Sequence, residues 1–331
     1  MPRTPGEAPV RPSEGAGTRT QDPRIKSPLL YRLSYASFFV ILSVSVKPDK
    51  THVGRGGGTI LTEATAMPTI QTAHEFAAKR LGMNWITAIP IYNEAAHIHS
   101  VLSEVRRYSP NILVVDDGST DETPRLLAAE PGIRIITHPR NRGYGAALCS
   151  AFQEAIRLGV DVLVTMDCDG QHEPSRIPVL LEGLAGVDIV SGSRYLRDFR
   201  QNTPAPDDRR RINATITQEL NRRFGLTLTD AFCGFKAYRR SALEKFHITE
   251  TGWGMPLQVW VQAARWGLRI REIGIPRLYL DPQRAFGGVL DNAEERLAYY
   301  RRVIREAEQM PLPTAPATCS ELIYPTWENC L

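Results

Sequence analysis

Asp167 and Asp169 stand one residue apart in "VTMDCDGQHEP", Val164 to Pro174, directly after an apolar run. Two close carboxylates are comfortable in one of two settings. In a turn, Asp and Gly serve as ordinary turn residues. Around a cation, a third charge offsets their mutual repulsion. If the extended run continues through them, side-chain alternation puts Asp167 and Asp169 on one side and Cys168 on the other. Gln171 continues that alternation and adds a carbonyl oxygen. Oxygen donors of this kind suit Mg²⁺ or Mn²⁺, and Mg²⁺ takes one or two carboxylates together with waters and substrate phosphates. Cys168 has no evident cationic partner that would make it a nucleophile, so it reads as a small core residue.

The elements that must carry this pair alternate regularly from Trp85 onward. "WITAIPIY", "NILVVDD", "IRIITH", "DVLVTMD" and "VDIVSGSRY" read as five strands. Between them lie helical patterns. The first has apolar positions at Ile98, Val101, Leu102 and Val105, and the second opens with Ser119 and Glu122 spaced as a capping box. A third, "GYGAALCSAFQEAIRLG", ends at Gly159. Beyond Arg194 the pattern predicts a helix over Arg209–Phe224, strands at "GFKAYRRSAL" and "LRIREIGIPRLYL", a helix "MPLQVWVQAARWG" between them, and a last helix over Asn292–Gln309. Strands alternating with helices imply crossovers and a mostly parallel central sheet flanked by helices, an α/β fold. Ligands of such sheets bind beyond the carboxyl ends of the strands. All five strands deliver polar residues there: Asn93 and Glu94, Asp116 and Asp117, Asn141 and Arg142, the Asp167–Gln171 group, and Ser193 with Arg194.

Composition bounds the class. The chain has 331 residues, 42% of them hydrophobic, with a formal net charge of +4. That charge is too small to imply nucleic acid as a partner. Five cysteines, at 149, 168, 233, 319 and 330, form no CxxC or paired framework, which favours a reduced, cytoplasmic setting. Residues 1–82 are rich in Pro, Gly, Ser and Thr and lack periodicity, so they read as a disordered or mispredicted extension, with translation expected to start at Met67 or Met83. Peptides from before Met67 in the native protein would overturn that expectation. Its apolar stretch Ser27–Lys47 has an uninterrupted run shorter than the ~20 residues of a spanning helix. Residues 83–309 form the expected catalytic domain, and 310–331 an irregular tail.

Six stretches, "AIPIYNE", "LVVDDGSTDET", "NRGYGAAL", "VTMDCDGQHEP", "VSGSRY" and "TDAFCGFKAYRRSAL", occur in the order and spacing of family 2 glycosyltransferases. Together, over about Asn84 to Gln309, the chain resembles their dolichol-phosphate mannosyltransferase and polyprenyl-phosphate glycosyltransferase branch. The resemblance implies a GT-A-type nucleotide-sugar-binding fold and metal-dependent, inverting transfer of a sugar from a nucleotide-diphosphate donor. The acceptor it implies is a polyprenyl phosphate, met peripherally at the inner face of the membrane.

By the same resemblance Pro90, Tyr92 and Glu94 line the nucleotide pocket, and Asp116 and Asp117 hold base and ribose. Asp167, Asp169 and Gln171 take Mg²⁺ or Mn²⁺ with the diphosphate, and Arg194 steadies the donor phosphates. Asp230 and Lys236 match polar positions beside the acceptor, Lys236 counting with the donor-binding set, and Arg284 resembles a late phosphate-binding arginine. Asp169, Arg194 and Asp230 are the catalytic candidates, Asp230 as the base should the acceptor be a hydroxyl. Two departures fall on the acceptor side: Gln258 stands where the branch often has Glu, and "FGGVLD" replaces a lysine-bearing end. The rival readings are a haloacid-dehalogenase-like phosphatase, whose loop is also Asp-x-Asp-Gly, and an inactive nucleotide-sugar-binding module. A nicotinamide enzyme is disfavoured, because "GYGAAL" lacks the third glycine and follows the third strand.

Overall fold

The structure is a computed structural model that describes residues 82–280 and 286–312. The N-terminal extension up to residue 81, Ser27–Lys47, Arg284 and the tail from 313 onward lie outside the described residues.

The strands are β1 (Trp85–Ile91), β2 (Ile112–Asp116), β3 (Arg134–Thr137), β4 (Val162–Thr165), β5 (Ile189–Ser193), β6 (Lys236–Arg239) and β7 (Ile270–Gly274). The helices are α1 (Ile98–Val105), α2 (Thr123–Ala128), α3 (Tyr144–Arg157), α4 (Ile177–Gly183), α5 (Asp207–Phe224), α6 (Arg240–Leu243), α7 (Met255–Arg265) and α8 (Ala293–Gln309). They build a seven-stranded sheet in the order β3-β2-β1-β4-β6-β5-β7. Its pairs are parallel except where β6 runs antiparallel between β4 and β5. The expected α/β, mostly parallel sheet is therefore what forms.

Residues on the two faces of each central strand enter different cores. Ile86 and Ala88 of β1, with Leu163 of β4, pack under α3, α5, α7 and α8. Trp85 and Ile89, with Val162 and Val164, pack under α1 and α4. A parallel sheet covered on both faces needs strands that are apolar on both faces, which is how β1, β2 and β4 read.

Two local expectations are corrected. Ser119 and Glu122 form no capping box: α2 has Glu122 at its N-cap with no side-chain cap bond. Ser119 Oγ instead accepts from the Asn93 amide at 2.9 Å, and Asp121 Oδ1 accepts from the Thr123 amide at 2.9 Å. Asn93 sits at φ 56°, a left-handed conformation that Asn tolerates better than most residues. Its Oδ1 takes the Thr120 amide at 2.8 Å. The second correction is at "GFKAYRRSAL", where the strand stops at Arg239 and the chain turns into α6.

β1 is flanked by β2 on one side and β4 on the other, so the connections that leave it diverge. Crevices of this kind, outside the carboxyl ends of the strands, are where open α/β sheets hold ligands.

Candidate active site

A cavity of about 990 Å³ opens at that edge. β4 ends at Thr165, so Asp167 and Asp169 stand in the bend beyond it rather than in the strand. The expected division holds only in part: both aspartates line the cavity, and Cys168, 2% exposed and packed in the core, also borders it. Gln171 reaches the cavity by another route. The chain reverses at Gly170, φ +73°, and the Gln171 amide closes the turn on Asp169 Oδ1 at 3.0 Å. The turn and cation readings of this stretch are thus compatible.

Asp167 is held from three sides. Its Oδ1 accepts the Tyr144 hydroxyl at 3.0 Å. Its amide donates to His172 Nδ1 at 3.1 Å, and the His172 ring stacks on Phe235 at 5.2 Å. Antiparallel β6, in register Thr165 to Lys236, brings Gly234 against the carboxylate. A Cβ at Gly234 would lie 2.5 Å from Asp167 Oδ2, so only glycine leaves that carboxylate its place. Such a donor set fits a hard divalent cation. Among the described residues no group of three or more His, Cys, Asp or Glu could hold a metal alone. Mg²⁺ is usually held by one or two carboxylates together with waters and substrate phosphates.

Pro90, Tyr92 and Glu94 line the same cavity. The acidic pair after β2 divides. Asp117 reaches the wall, and its oxygens accept the Arg142 and Gly143 amides at 3.0 and 2.8 Å. Asp116 is 1% exposed. Its Oδ1 takes the Ser119 amide at 2.9 Å, and its buried Oδ2 has no hydrogen-bond partner.

A second set of elements supplies the cations. Arg194, just past β5, grips Asp230 with both fork nitrogens, at 2.7 and 2.9 Å. Asn213 of α5 and the Phe232 amide donate to the same carboxylate at 2.7 and 3.1 Å. Burial alone would raise the Asp230 carboxyl, but Arg194 and these donors outweigh it and hold it at about 2. Asp230 is fully buried and does not line the cavity, so it positions Arg194 and is unsuited to act as a base. Lys236 is likewise behind the wall. Its ammonium donates to the Cys233 carbonyl and lies 5.2 Å over Trp260, and burial lowers its pKa. Gln258 is structural, its Oε1 taking the Thr249 and Glu250 amides at 2.9 and 2.8 Å.

At the far end of the cavity Arg209 of α5 and Arg296 of α8 stack on Phe286 at 4.8 and 4.5 Å. Arg296 is pinned by Asp208. Trp253 connects this end to the carboxylates, since it stacks on Tyr144 at 5.1 Å and its indole N–H donates to the Phe286 carbonyl at 3.3 Å. Tyr144, Asn213, Trp253 and Arg296 were not candidates from the sequence. Of these, only Tyr144 carried a signal, in "NRGYGAAL" at the mouth of a helix.

The model of glycosyl transferase family 2 matches residues 87–246. An undecaprenyl-phosphate mannosyltransferase of Micrococcus luteus is 32% identical over 222 residues, which cover 64% of this chain and 91% of that protein. The chain belongs to glycosyl transferase family 2. It is a glycosyltransferase, which sets the phosphatase reading aside. A polyprenol monophosphomannose synthase of Mycolicibacterium smegmatis is 35% identical over 175 residues, 50% of this chain and 64% of that protein. Among solved structures, glucosyl-3-phosphoglycerate synthase from Mycobacterium tuberculosis superposes with a TM-score of 0.55 at 20% identity, covering 80% of this chain and 89% of that one. Mannosyl-3-phosphoglycerate synthase from Rubrobacter xylanophilus gives 0.53 at 16%, over 72% and 79%. Likeness at that identity establishes the GT-A fold alone.

Proposed function

We propose that this glycosyltransferase moves a sugar from a nucleotide-diphosphate donor to a polyprenyl phosphate, with inversion at the sugar carbon. The observation that carries the reading is the two-signed cavity, with carboxylates on the β1–β4 loops and Arg194, Arg209 and Arg296 on the other elements. Tyr92, Glu94 and Asp117 hold the nucleoside. Asp167, Asp169 and Gln171 hold Mg²⁺ or Mn²⁺, which when bound offsets charge developing on the leaving diphosphate. Arg194, kept charged and oriented by Asp230, steadies the donor phosphates, a task suited to a planar fork of donors.

The acceptor oxygen forms its bond to the sugar carbon as the bond to the diphosphate breaks. A phosphate oxygen is already anionic and needs no base, whereas a hydroxyl must lose its proton to one. The carboxylate considered for that task, Asp230, is spent on Arg194 and sits at about 2. Arg209 supplies a fork that suits a phosphate, beside the buried Arg296, whose terminal nitrogens are taken by the Leu290 carbonyl and Asp208. Phe232, Trp253 and Phe286 supply apolar wall for the start of a lipid chain. The undecaprenyl phosphate in the name of the first relative above, and the polyprenol monophosphomannose in that of the second, support the same class. Such an acceptor is met at a membrane surface, and we place the protein peripherally on the inner face. Among the described residues no helix is long and apolar enough to cross a membrane.

Thermal shifts with UDP, GDP and dTDP in the presence of Mn²⁺ test the donor side. A ligand at 100 times its dissociation constant stabilises by about 2.7 kcal/mol, so the right nucleotide raises the melting temperature. Sugar transfer to undecaprenyl phosphate against a free prenol tests the acceptor. No shift with any nucleotide, or transfer to the prenol alone, would sink the corresponding half of the reading.

A further inference from the structure

We infer that His138 is a positioning residue that fixes the Asp117 carboxylate for the donor, an inference that rests on the nucleotide-diphosphate reading above. His138 follows β3 directly, on the strand edge where Asp117 follows β2, and it is 3% exposed. Its Nδ1 lies 2.6 Å from Asp117 Oδ1, and its Nε2 lies 2.8 Å from Ser150 Oγ on α3. A carboxylate only accepts, so Nδ1 carries the proton. In the neutral ring Nε2 then accepts from the Ser150 hydroxyl. Whichever way the Ser150 contact runs, the Nδ1–H donates to Asp117 and Ser150 holds the far end of the ring.

This chain decides what Asp117 has left to offer. A carboxylate has about four acceptor directions. Oδ1 takes His138 Nδ1–H and the Arg142 amide, and Oδ2 takes the Gly143 amide. One direction on Oδ2 remains, on a residue that lines the cavity. It suits a single donor, a base N–H or a ribose hydroxyl. The terminal torsion of Asp is broad, so without the imidazole the Oδ1 end keeps one backbone donor and the carboxylate can turn. His138 does not line the cavity itself. It acts through Asp117 alone, and its effect belongs on donor affinity rather than on the chemical step.

Two substitutions separate this role from simple packing. His138→Asn keeps an N–H near the position of Nδ1 but loses the reach to Ser150. His138→Gln fills more of the ring's space and reaches towards Ser150, but has no N–H at the Nδ1 position. Calorimetric titration of the full chain with UDP, GDP and dTDP identifies the nucleotide it binds, and that nucleotide is the probe for both variants. The Asn variant is expected to bind within about threefold of wild type and the Gln variant on the order of tenfold more weakly, since a hydrogen bond to a charged group is worth roughly that much. In donor kinetics the Gln variant raises KM and leaves kcat nearly unchanged. A packing role gives the opposite order, because Asn leaves the larger void. That order, or equal affinities, overturns the inference.

Ser150→Ala removes only the distal end of the chain and keeps the test open should a His138 variant fail to fold. Without the Ser150 hydroxyl the ring loses its partner at Nε2 and is held at one end only, so the site should bind about threefold more weakly, and an unchanged affinity counts against the inference. If wild type binds no nucleoside diphosphate, the donor reading falls together with this one. If wild type binds but the variants rank the wrong way, only the role of His138 falls.

Discussion

Asp117, Asp167 and Asp169 reach the cavity from short loops that leave the parallel strands β2 and β4, whereas Arg194, Arg209 and Arg296 come from the end of β5, from α5 and from α8. The first wall is held by the Arg142, Gly143 and Gln171 amides together with the side chains of Tyr144 and His138. In the second wall Arg194 is paired with Asp230 and Arg296 with Asp208. On the function proposed above, carboxylates crowded at one wall meet a positive charge that arrives with substrate. Arginines already paired are fixed in direction before anything binds. The difference teaches where damage should appear. Changes at the carboxylate wall should cost turnover and spare the fold, and changes at the paired arginines should cost stability as well.

Asp169→Ala tests that division at its strongest point. Transfer should fall by at least 10²–10³, the order seen when one preorganised electrostatic group is lost, while the melting temperature stays near wild type. A large loss of stability would mean that the loop after β4 is a structural turn first.

Asp230→Asn should do the reverse in kind. Breaking a buried pair from one side typically costs about 3–5 kcal/mol, and denaturant melts should show a loss near the lower figure, since Arg194 keeps 16% of its side chain exposed. The pH dependence has a definite sign. The Asp230 carboxyl is depressed from 3.8 to about 2 on folding, so its stabilisation is present above 3.8 and is lost as pH falls through about 2. By linkage it amounts to about 2 kcal/mol, and the Asn variant should lack that limb of the acid profile. Were Asp230 the base, the variant would instead lose turnover at unchanged stability.

Gly234→Ala sharpens the comparison where the halves touch, because β6 belongs to the second half of the chain but backs Asp167 of the first. A methyl 2.5 Å from Asp167 Oδ2 and 2.8 Å from the Tyr144 hydroxyl must displace the carboxylate. Activity at limiting Mn²⁺ should drop about tenfold, since metal-supporting contacts typically matter on that scale, and excess Mn²⁺ should recover part of it. An unaltered Mn²⁺ requirement would show that Asp167 does not need its present place.

The same contrast explains what the sequence disclosed. Asp167, Asp169, Asp117 and Glu94 were legible because each follows its strand within a few residues, and the strand edge of an α/β sheet is readable from hydrophobic pattern alone. The core halves were legible for the same reason, Ile98, Val101, Leu102 and Val105 being the buried face of α1. Asp230 and Lys236 were misplaced because sequence shows that a residue is polar, not whether a partner waits to bury it. Asp230 meets Arg194 and Asn213 only when β5, α5 and the loop before β6 come together. Arg296 and Trp253 were invisible, since their place depends on α8 and the loop before α7 closing on Phe286. The capping box failed by a local competition: Ser119 had Asn93, brought near by β1, as an alternative donor.

Arg209→Ala gives the smallest effect and divides the walls most cleanly. Arg209 stacks on Phe286, at 4.8 Å, and is half-buried. Stability should fall by at most about 1 kcal/mol, the scale of a partly exposed charge contact, since against burial Arg209 joins Arg296 in holding the Asp208 carboxyl below its usual range. A charge that meets an anionic acceptor near the surface should shift the acceptor KM by roughly three- to tenfold, and added salt should shrink the gap between variant and wild type through screening. The donor KM should not move. If it moves and the acceptor KM does not, Arg209 belongs with the donor phosphates, and the line between the two walls has to be drawn between α5 and α8 rather than between β4 and β5.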